Sequence, residues 1–324
     1  MATKATTKKA TTKATTAKKT VKKVAEPIVI IPETEERAEE FPEITEAQKQ
    51  QVINDAMVES ESNTENAAKV GTSTSSVAEP DIQEPEKEVK QQPLISVLMT
   101  VKDTPEEWLQ TALNSVLSQN FEGVVEVVLV DNGSKLELAE KIAALCQEND
   151  IKLVVCNEVG RANALNAGLE LCRGVYVAKM DSDDIAEENW LRDMFEFMLM
   201  TPDAVVAGCQ IRFFGEQNGR VTKHPLRQVA KDVLAYGPGY YWVTNHPGVF
   251  LKREEIIALG GYGRFDESKE EISEDFYLWC KVLKAGYAIY TNPSVLMNYR
   301  YSSKPERYSK RWYSFLEEQK NSLK

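Results

Sequence analysis

Cysteine, histidine and long apolar runs are scarce in this chain. Five cysteines, Cys146, Cys156, Cys172, Cys209 and Cys280, are scattered through 324 residues. They are odd in number and never spaced CxxC, which argues against a disulfide scaffold and a thiolate zinc site. The two histidines, His224 and His246, cannot build a zinc site either. No stretch approaches the ~20 apolar residues of a membrane helix. The lysines near the start are not followed by the apolar core of a secretory signal. A soluble protein of a reducing, cytoplasmic compartment is the expectation. Neither GxxxxGK[ST] nor GxGxxG follows the first strand-like run, so phosphates are not held in the NTPase or dinucleotide manner.

What is present falls into unlike segments. The chain is 42% hydrophobic and 27% charged, with a net charge of -11, enough apolar material for a sizeable core. Residues 1–23 carry eight lysines and no acid among Ala and Thr. Residues 24–93 carry seventeen acids against five bases. Neither part has apolar periodicity, so 1–93 is expected to be a disordered tail, basic then acidic, with at most a short helix from Glu46 to Val58. The lysines read as a solubilising tail, as a contact with a polyanion held by counterion release, or as a partner for the acidic segment itself.

From Pro93 onward, strands and helices alternate. Leu94–Thr100, Val124–Val130, Lys152–Cys156 and Val175–Met180 are apolar runs of strand length. Between them lie helical patterns: one from Thr104-Pro105 with Trp108, Ala112, Leu113, Val116 and Leu117 on one face, then Leu136–Gln147, then Ala162–Cys172. Such alternation predicts βαβ units and a mainly parallel sheet. Asp131 and Asp181 stand where apolar strands end, and open α/β sheets bind ligands beyond those ends.

The run Asp181-Ser182-Asp183-Asp184 places three carboxylates in four residues. They suit a hard divalent ion shared with a diphosphate. A plainer alternative is that Asp183 or Asp184 caps the helix containing Trp190. Farther on come Asn245-His246-Pro247, Gly260-Gly261-Tyr262 and Ser273-Glu274-Asp275. The last reads as a helix start with Ser273 as N-cap, Trp279, Val282 and Leu283 inward, and two acids complementing the dipole. Cys280 reads as packing. Residues 299–324 interleave seven bases with aromatics. Tyr308, Trp312, Phe315 and Leu316 share a helical face, suited to docking on the domain or to a membrane surface or polyanionic acceptor.

Taken together, the pieces resemble a known family. Leu94-Ile-Ser-Val-Leu-Met99, Ser115-Val-Leu-Ser-Gln119, Val130-Asp-Asn-Gly-Ser134, Gly160-Arg-Ala-Asn-Ala-Leu-Asn-Ala-Gly-Leu169, Met180-Asp-Ser-Asp-Asp184, His246-Pro247, Gly260-Gly-Tyr262 and Glu274-Asp275 occur in the order of the GT-A glycosyltransferases of family 2. The resemblance covers about Pro93 to Tyr301. It implies an α/β GT-A domain over 94–301, preceded by the tail and followed by a basic, aromatic helix over 302–324. It implies sugar transfer from a nucleotide sugar, usually a UDP-sugar, with Mn2+ or Mg2+. By position, Asp131 would bind the base, Asp181 the ribose or sugar, and Arg161 and Thr100 would lie near the donor. Asp183 would hold the metal, with Asp181 and Asp184 beside it. Asp275 would be the general base with Glu274 adjacent, and His246 a contact for donor or acceptor.

Three positions depart from the family pattern: Asn132 where a second Asp is common, Lys102-Asp103 where Tyr-Asn is frequent, and Leu165 before Asn166. They bear on donor identity rather than fold. The chemistry needs a Lewis acid for the leaving diphosphate and one carboxylate to deprotonate the nucleophile, which favours inversion. A sugar-nucleotide nucleotidyltransferase is the alternative, disfavoured because Thr100–Asp103 has no glycine. A non-catalytic binding protein of the same fold is another. The acceptor, whether saccharide, lipid, protein or modified nucleic acid, is not legible.

Overall fold

The computed structural model describes residues 45, 47–51, 92–216, 219–236, 240–266, 272–302 and 310–324. The expectations for 1–44, 46 and 52–91 therefore lie outside the described residues, as do Tyr308 and its neighbours.

Val-rich runs form the first strands: β1 (Ile95–Val101), β2 (Val125–Asp131), β3 (Lys152–Val155) and β4 (Tyr176–Asp181). They pair in parallel in the order β3-β2-β1-β4. β1 and β4 are buried almost throughout, as strands covered on both faces must be. Three helices connect them: α1 (Glu106–Leu117), α2 (Leu136–Glu148) and α3 (Arg161–Leu171). The chain then runs through β5 (Ile185–Ala186), α4 (Trp190–Met200), β6 (Val206–Gly215), β7 (Arg227–Gln228), α5 (Ala230–Ala235) and β8 (Phe250–Lys252). It finishes with α6 (Arg253–Ala258), α7 (Glu274–Lys284), β9 (Ile289–Tyr301) and α8 (Lys310–Asn321).

This second half extends the sheet with mixed pairing. β8 lies antiparallel on β4, β6 antiparallel on β8, and β9 parallel to β6, with β5 and β7 antiparallel to β9. The result is the expected α/β architecture, parallel in its first half and mixed in its second. One face of the sheet packs Val97, Met99, Ala178 and Met180 with Trp190, Met194 and Phe250 into a continuous core.

Some local expectations change. α1 begins at Glu106, after Pro105, with no side-chain cap. The Thr104 hydroxyl instead meets that of Ser182 at 2.7 Å. The buried face of α1 is Leu109, Ala112, Leu113 and Val116, while Leu117 is exposed. Trp108 turns toward Arg300, whose guanidinium lies 4.3 Å from its ring centre. The capping alternative for the acid run fails, because β5 intervenes and α4 starts from Asn189. α8 docks on the domain, with Leu316 fully buried.

Candidate active site

The register of the parallel strands gathers the first group of residues. Thr100 on β1 pairs with Asp181 on β4, and Val101 pairs with Asp131 on β2. Strand order reverses between β1 and β4, which is where open α/β sheets leave a crevice beyond the carboxyl ends. Asp131 and Asp181 flank β1 from either side, roughly 10 Å apart at the usual strand spacing.

Asp131 is buried, and its Oδ1 accepts the Ser134 amide at 2.9 Å. Asn132 faces away from that role. Its Nδ2 donates to the Glu158 carbonyl at 2.8 Å, and its Oδ1 accepts the Gly160 amide at 3.1 Å. It therefore ties the end of β2 to the loop that opens α3. Gly160 stands at φ 135°, a region closed to most side chains, and aims Arg161 at the crevice.

The acid run at the end of β4 divides into three environments. Asp181 is ion-paired with Lys179, whose side chain is only 1% exposed. Asp184 is fully buried. Its Oδ1 accepts the Arg300 amide at 2.7 Å, and its Oδ2 is buried without a partner. Burial and the nearby Asp181 and Asp183 push its carboxyl well above the usual range. Asp183 is part-exposed, and burial together with Asp181 raises it too. Arg300 braces the run: its Nε donates to the Asp183 carbonyl at 2.8 Å, and its guanidinium lies between the Trp108 and Phe214 rings.

A divalent cation fits this chemistry. The run has hard oxygen atoms, one of them orphaned, and two carboxyls whose ionisation is resisted by burial and by neighbouring carboxylates. Among the described residues no three acidic, His or Cys side chains close around a common point.

The second half brings its residues against the same crevice. Arg161 Nη1 donates to Glu274 Oε1 at 3.1 Å, joining α3 to the start of α7. Glu274 is buried, which raises its carboxyl, while Arg161 pulls it back. His246 Nδ1 lies 3.9 Å from the same oxygen, and its Nε2 meets the Tyr262 hydroxyl at 3.0 Å. Burial, with Lys179 and Arg161 nearby, holds His246 well below the ordinary histidine range. Asp275 Oδ1 accepts the Ser273 hydroxyl at 2.5 Å and the Phe276 amide at 2.7 Å.

Arg161, Glu274 and His246 are thus in one network, Asp181, Asp183 and Asp184 in another, and Lys179 lies electrostatically between them. Asp131 stands apart on β2. Lys179, Tyr262 and Arg300 are site residues that no sequence motif assigned a role. A lysine inside an otherwise apolar strand, Val175–Met180, is the signal for the first. Arg300 offers no local signal, because its hydrogen-bond partners lie more than a hundred residues upstream.

Comparison with known proteins points one way. The profile described as Glycosyl transferase family 2 matches residues 96–253. The UDP-Gal:alpha-D-GlcNAc-diphosphoundecaprenol beta-1,3-galactosyltransferase of Escherichia coli is 31% identical over 217 residues, spanning 65% of this chain and 75% of that protein. The amylovoran biosynthesis glycosyltransferase AmsE of Erwinia amylovora is 29% identical over 216 residues, spanning 65% and 77%. Among solved structures, S. aureus TarS 1-349 in complex with UDP superposes with a TM-score of 0.52 at 18% identity, a likeness of fold. The match covers 64% of this chain and 60% of that one.

Proposed function

The chain belongs to glycosyl transferase family 2, and from that membership and the geometry of the crevice we propose that it moves a sugar from a UDP-sugar to an acceptor hydroxyl with inversion at the transferred carbon. Membership sets aside the nucleotidyltransferase alternative. The UDP-Gal in the name of the E. coli relative supports a uridine donor.

In this reading Asp131 takes the nucleobase, while Thr100 and Asp181 flank the ribose and diphosphate at the switch point. Asp183 is part-exposed and, unlike Asp181, is not ion-paired with Lys179, so it would hold a divalent ion, with Asp184 behind it. That ion, when bound, supplies positive charge to the leaving diphosphate. The Arg161–Glu274 pair at 3.1 Å is the observation that carries the proposal. It joins the helix beside the strand ends to the first turn of α7, which supports setting Asp275 beside the donor crevice. Asp275 Oδ1 is engaged by Ser273 and Phe276, which leaves Oδ2 to accept the proton of the attacking hydroxyl. One base opposite the leaving group gives in-line displacement. Glu274, committed to Arg161, positions rather than reacts.

The test uses a panel of UDP-sugars, scoring UDP release and transfer for the wild type and Asp275→Asn. The expected outcome is a loss of about 10²–10⁴-fold in turnover, as removal of a general base causes, with UDP affinity nearly unchanged. A first-turn acid that only complements the helix dipole would cost ~1 kcal/mol of stability or less and leave turnover intact. That second result would remove Asp275 from the mechanism.

A further inference from the structure

The final helix, α8, contacts both the Tyr240–Tyr241 segment and α7, and we propose that its Glu317 and Lys320 are positioning residues for Asp275 and for the segment from Tyr240 to His246. The inference rests on the reading of Asp275 as base, and it concerns a part of the chain outside the residues matched by the family profile.

Lys320 is 4% exposed, unusual for a lysine near a chain end. Its Nζ donates to the Tyr240 carbonyl at 3.1 Å and lies 5.9 and 5.8 Å from the ring centres of Tyr240 and Tyr241. One helical turn earlier, Glu317 Oε1 accepts the Tyr241 hydroxyl at 2.8 Å. Residues i and i+3 share a helix face, so the two side chains act together on consecutive tyrosines. The Tyr241 ring packs edge-on against Phe276 at 5.6 Å, and the Phe276 amide holds Asp275 Oδ1 at 2.7 Å. Six residues beyond Tyr240 the same segment delivers His246 to Tyr262 and Glu274.

A second contact fixes α8 on α7 directly. Phe315 packs against Phe265 at 5.9 Å and Tyr277 at 6.4 Å, and Leu316 is fully buried. Apolar packing accounts for docking, but it does not require an acid and a buried cation aimed at two backbone-adjacent tyrosines. Burying such groups is costly unless they are paired, and here they are paired with the segment that faces the base. Among the described residues, the contacts of this grip given above are with Tyr240, Tyr241, Phe265 and Tyr277, not with Asp131, Thr100 or Asp183. Loosening it should therefore alter the acceptor side and spare nucleotide binding.

The experiment uses the full chain with Glu317→Gln/Lys320→Met, and Lys320→Arg as the conservative variant. Amide hydrogen exchange is followed over 240–246, 272–278 and 95–131. UDP affinity is measured by calorimetry, and UDP release with whichever of UDP-galactose, UDP-glucose and UDP-GlcNAc the wild type hydrolyses fastest. Expected are exchange about tenfold faster over 240–246 and 272–278 with no change over 95–131, about tenfold slower UDP release, UDP affinity within about threefold, and near-wild-type behaviour of Lys320→Arg. Unchanged exchange over 272–278, or faster exchange with unchanged UDP release, overturns the proposal. So does a uniform rise that includes 95–131 with loss of UDP affinity, since that is plain destabilisation. If Asp275→Asn keeps its turnover, the base assignment fails by itself, while the exchange data still decide whether α8 holds α7 and the tyrosine segment.

Discussion

Lys179 and Asp181 are two residues apart on β4 and so point to the same face. The lysine is 1% exposed and its partner 28%. Removing the carboxylate takes away the ion-pair partner of a buried ammonium, and breaking a buried pair typically costs about 3–5 kcal/mol, here moderated by Asp183 and Asp184 nearby. Asp183 is the opposite case, because its ionised form is already disfavoured by burial and by Asp181. Asp181→Asn should therefore lower the melting temperature by several degrees, while Asp183→Asn should leave it unchanged or raise it. Thermal unfolding of the two variants side by side decides this, and equal melting temperatures would refute the division of the run. His224 gives a second residue-scale test. Burial holds its pKa down to about 4, with Nε2 on Asn245 Oδ1 at 3.1 Å. The unfolded chain takes up that proton near pH 6.5 and the folded chain does not. Stability from this group is therefore complete above pH 6.5 and drains as pH falls toward 4, by about 2 kcal/mol at pH 5. His224→Gln should flatten the fall between pH 7.5 and 5 by about that amount, measured by urea unfolding. His246 contributes the same sign in both proteins and cancels. Parallel pH profiles would contradict the assignment.

At the scale of elements, α3 does more than cover the sheet. Its Asn166 donates Nδ2 to the Gly263 carbonyl at 2.5 Å and accepts the Tyr262 amide on Oδ1 at 2.9 Å. These bonds shape the Gly260-Gly261-Tyr262 turn and set the Tyr262 hydroxyl against His246. Gly261 is at φ 56°, and a Cβ there would come within 2.4 Å of Asn166 Oδ1. Asn166→Ala should cost about 1–3 kcal/mol for the lost bonds. Gly261→Ala should destabilise too, but the double variant should cost less than the sum, because the clash disappears with the amide. A double-mutant cycle of unfolding free energies measures the coupling, and strict additivity would show that Asn166 and the turn are independent. Asn166 and the Gly-Gly-Tyr turn each stand out as motif pieces in the sequence. Their pairing does not, since 96 residues separate Tyr262 from Asn166.

For the whole molecule, the question is how much of the chain the catalytic domain needs. The nine-stranded sheet and its helices draw their core from residue 94 onward. Among the described residues of the first segment, 47–51 form a helical turn, and Lys49 Nζ reaches Glu196 Oε1 at 2.6 Å. A pair with both side chains partly open to solvent is worth about 0–1 kcal/mol. A protein beginning at residue 92, which keeps that whole core, should melt within about 2–4 °C of the full chain. A much larger drop, read by circular dichroism, would show that the first segment contributes to the core.

The fold class and half of the site were legible in the order of residues alone. Apolar runs of strand length ending in Asp131 and Asp181 imply parallel strands with acids at their carboxyl ends, because that geometry follows from local periodicity and the handedness of βαβ connections. The glycine turns and the Glu274-Asp275 helix start were equally local. Only the tertiary structure decided which partner each carboxylate has. Glu274 is committed to Arg161 across 113 residues, and Asp184 to Arg300 across 116. Thr104 serves Ser182 rather than its own helix. Lys179 is buried on β4 between β1 and β8, a fact that no window of neighbouring residues contains. Periodicity encodes which face a side chain takes, whereas the partner waiting on that face is chosen by the packing of distant elements, and in this crevice the partner sets the surroundings of each acid.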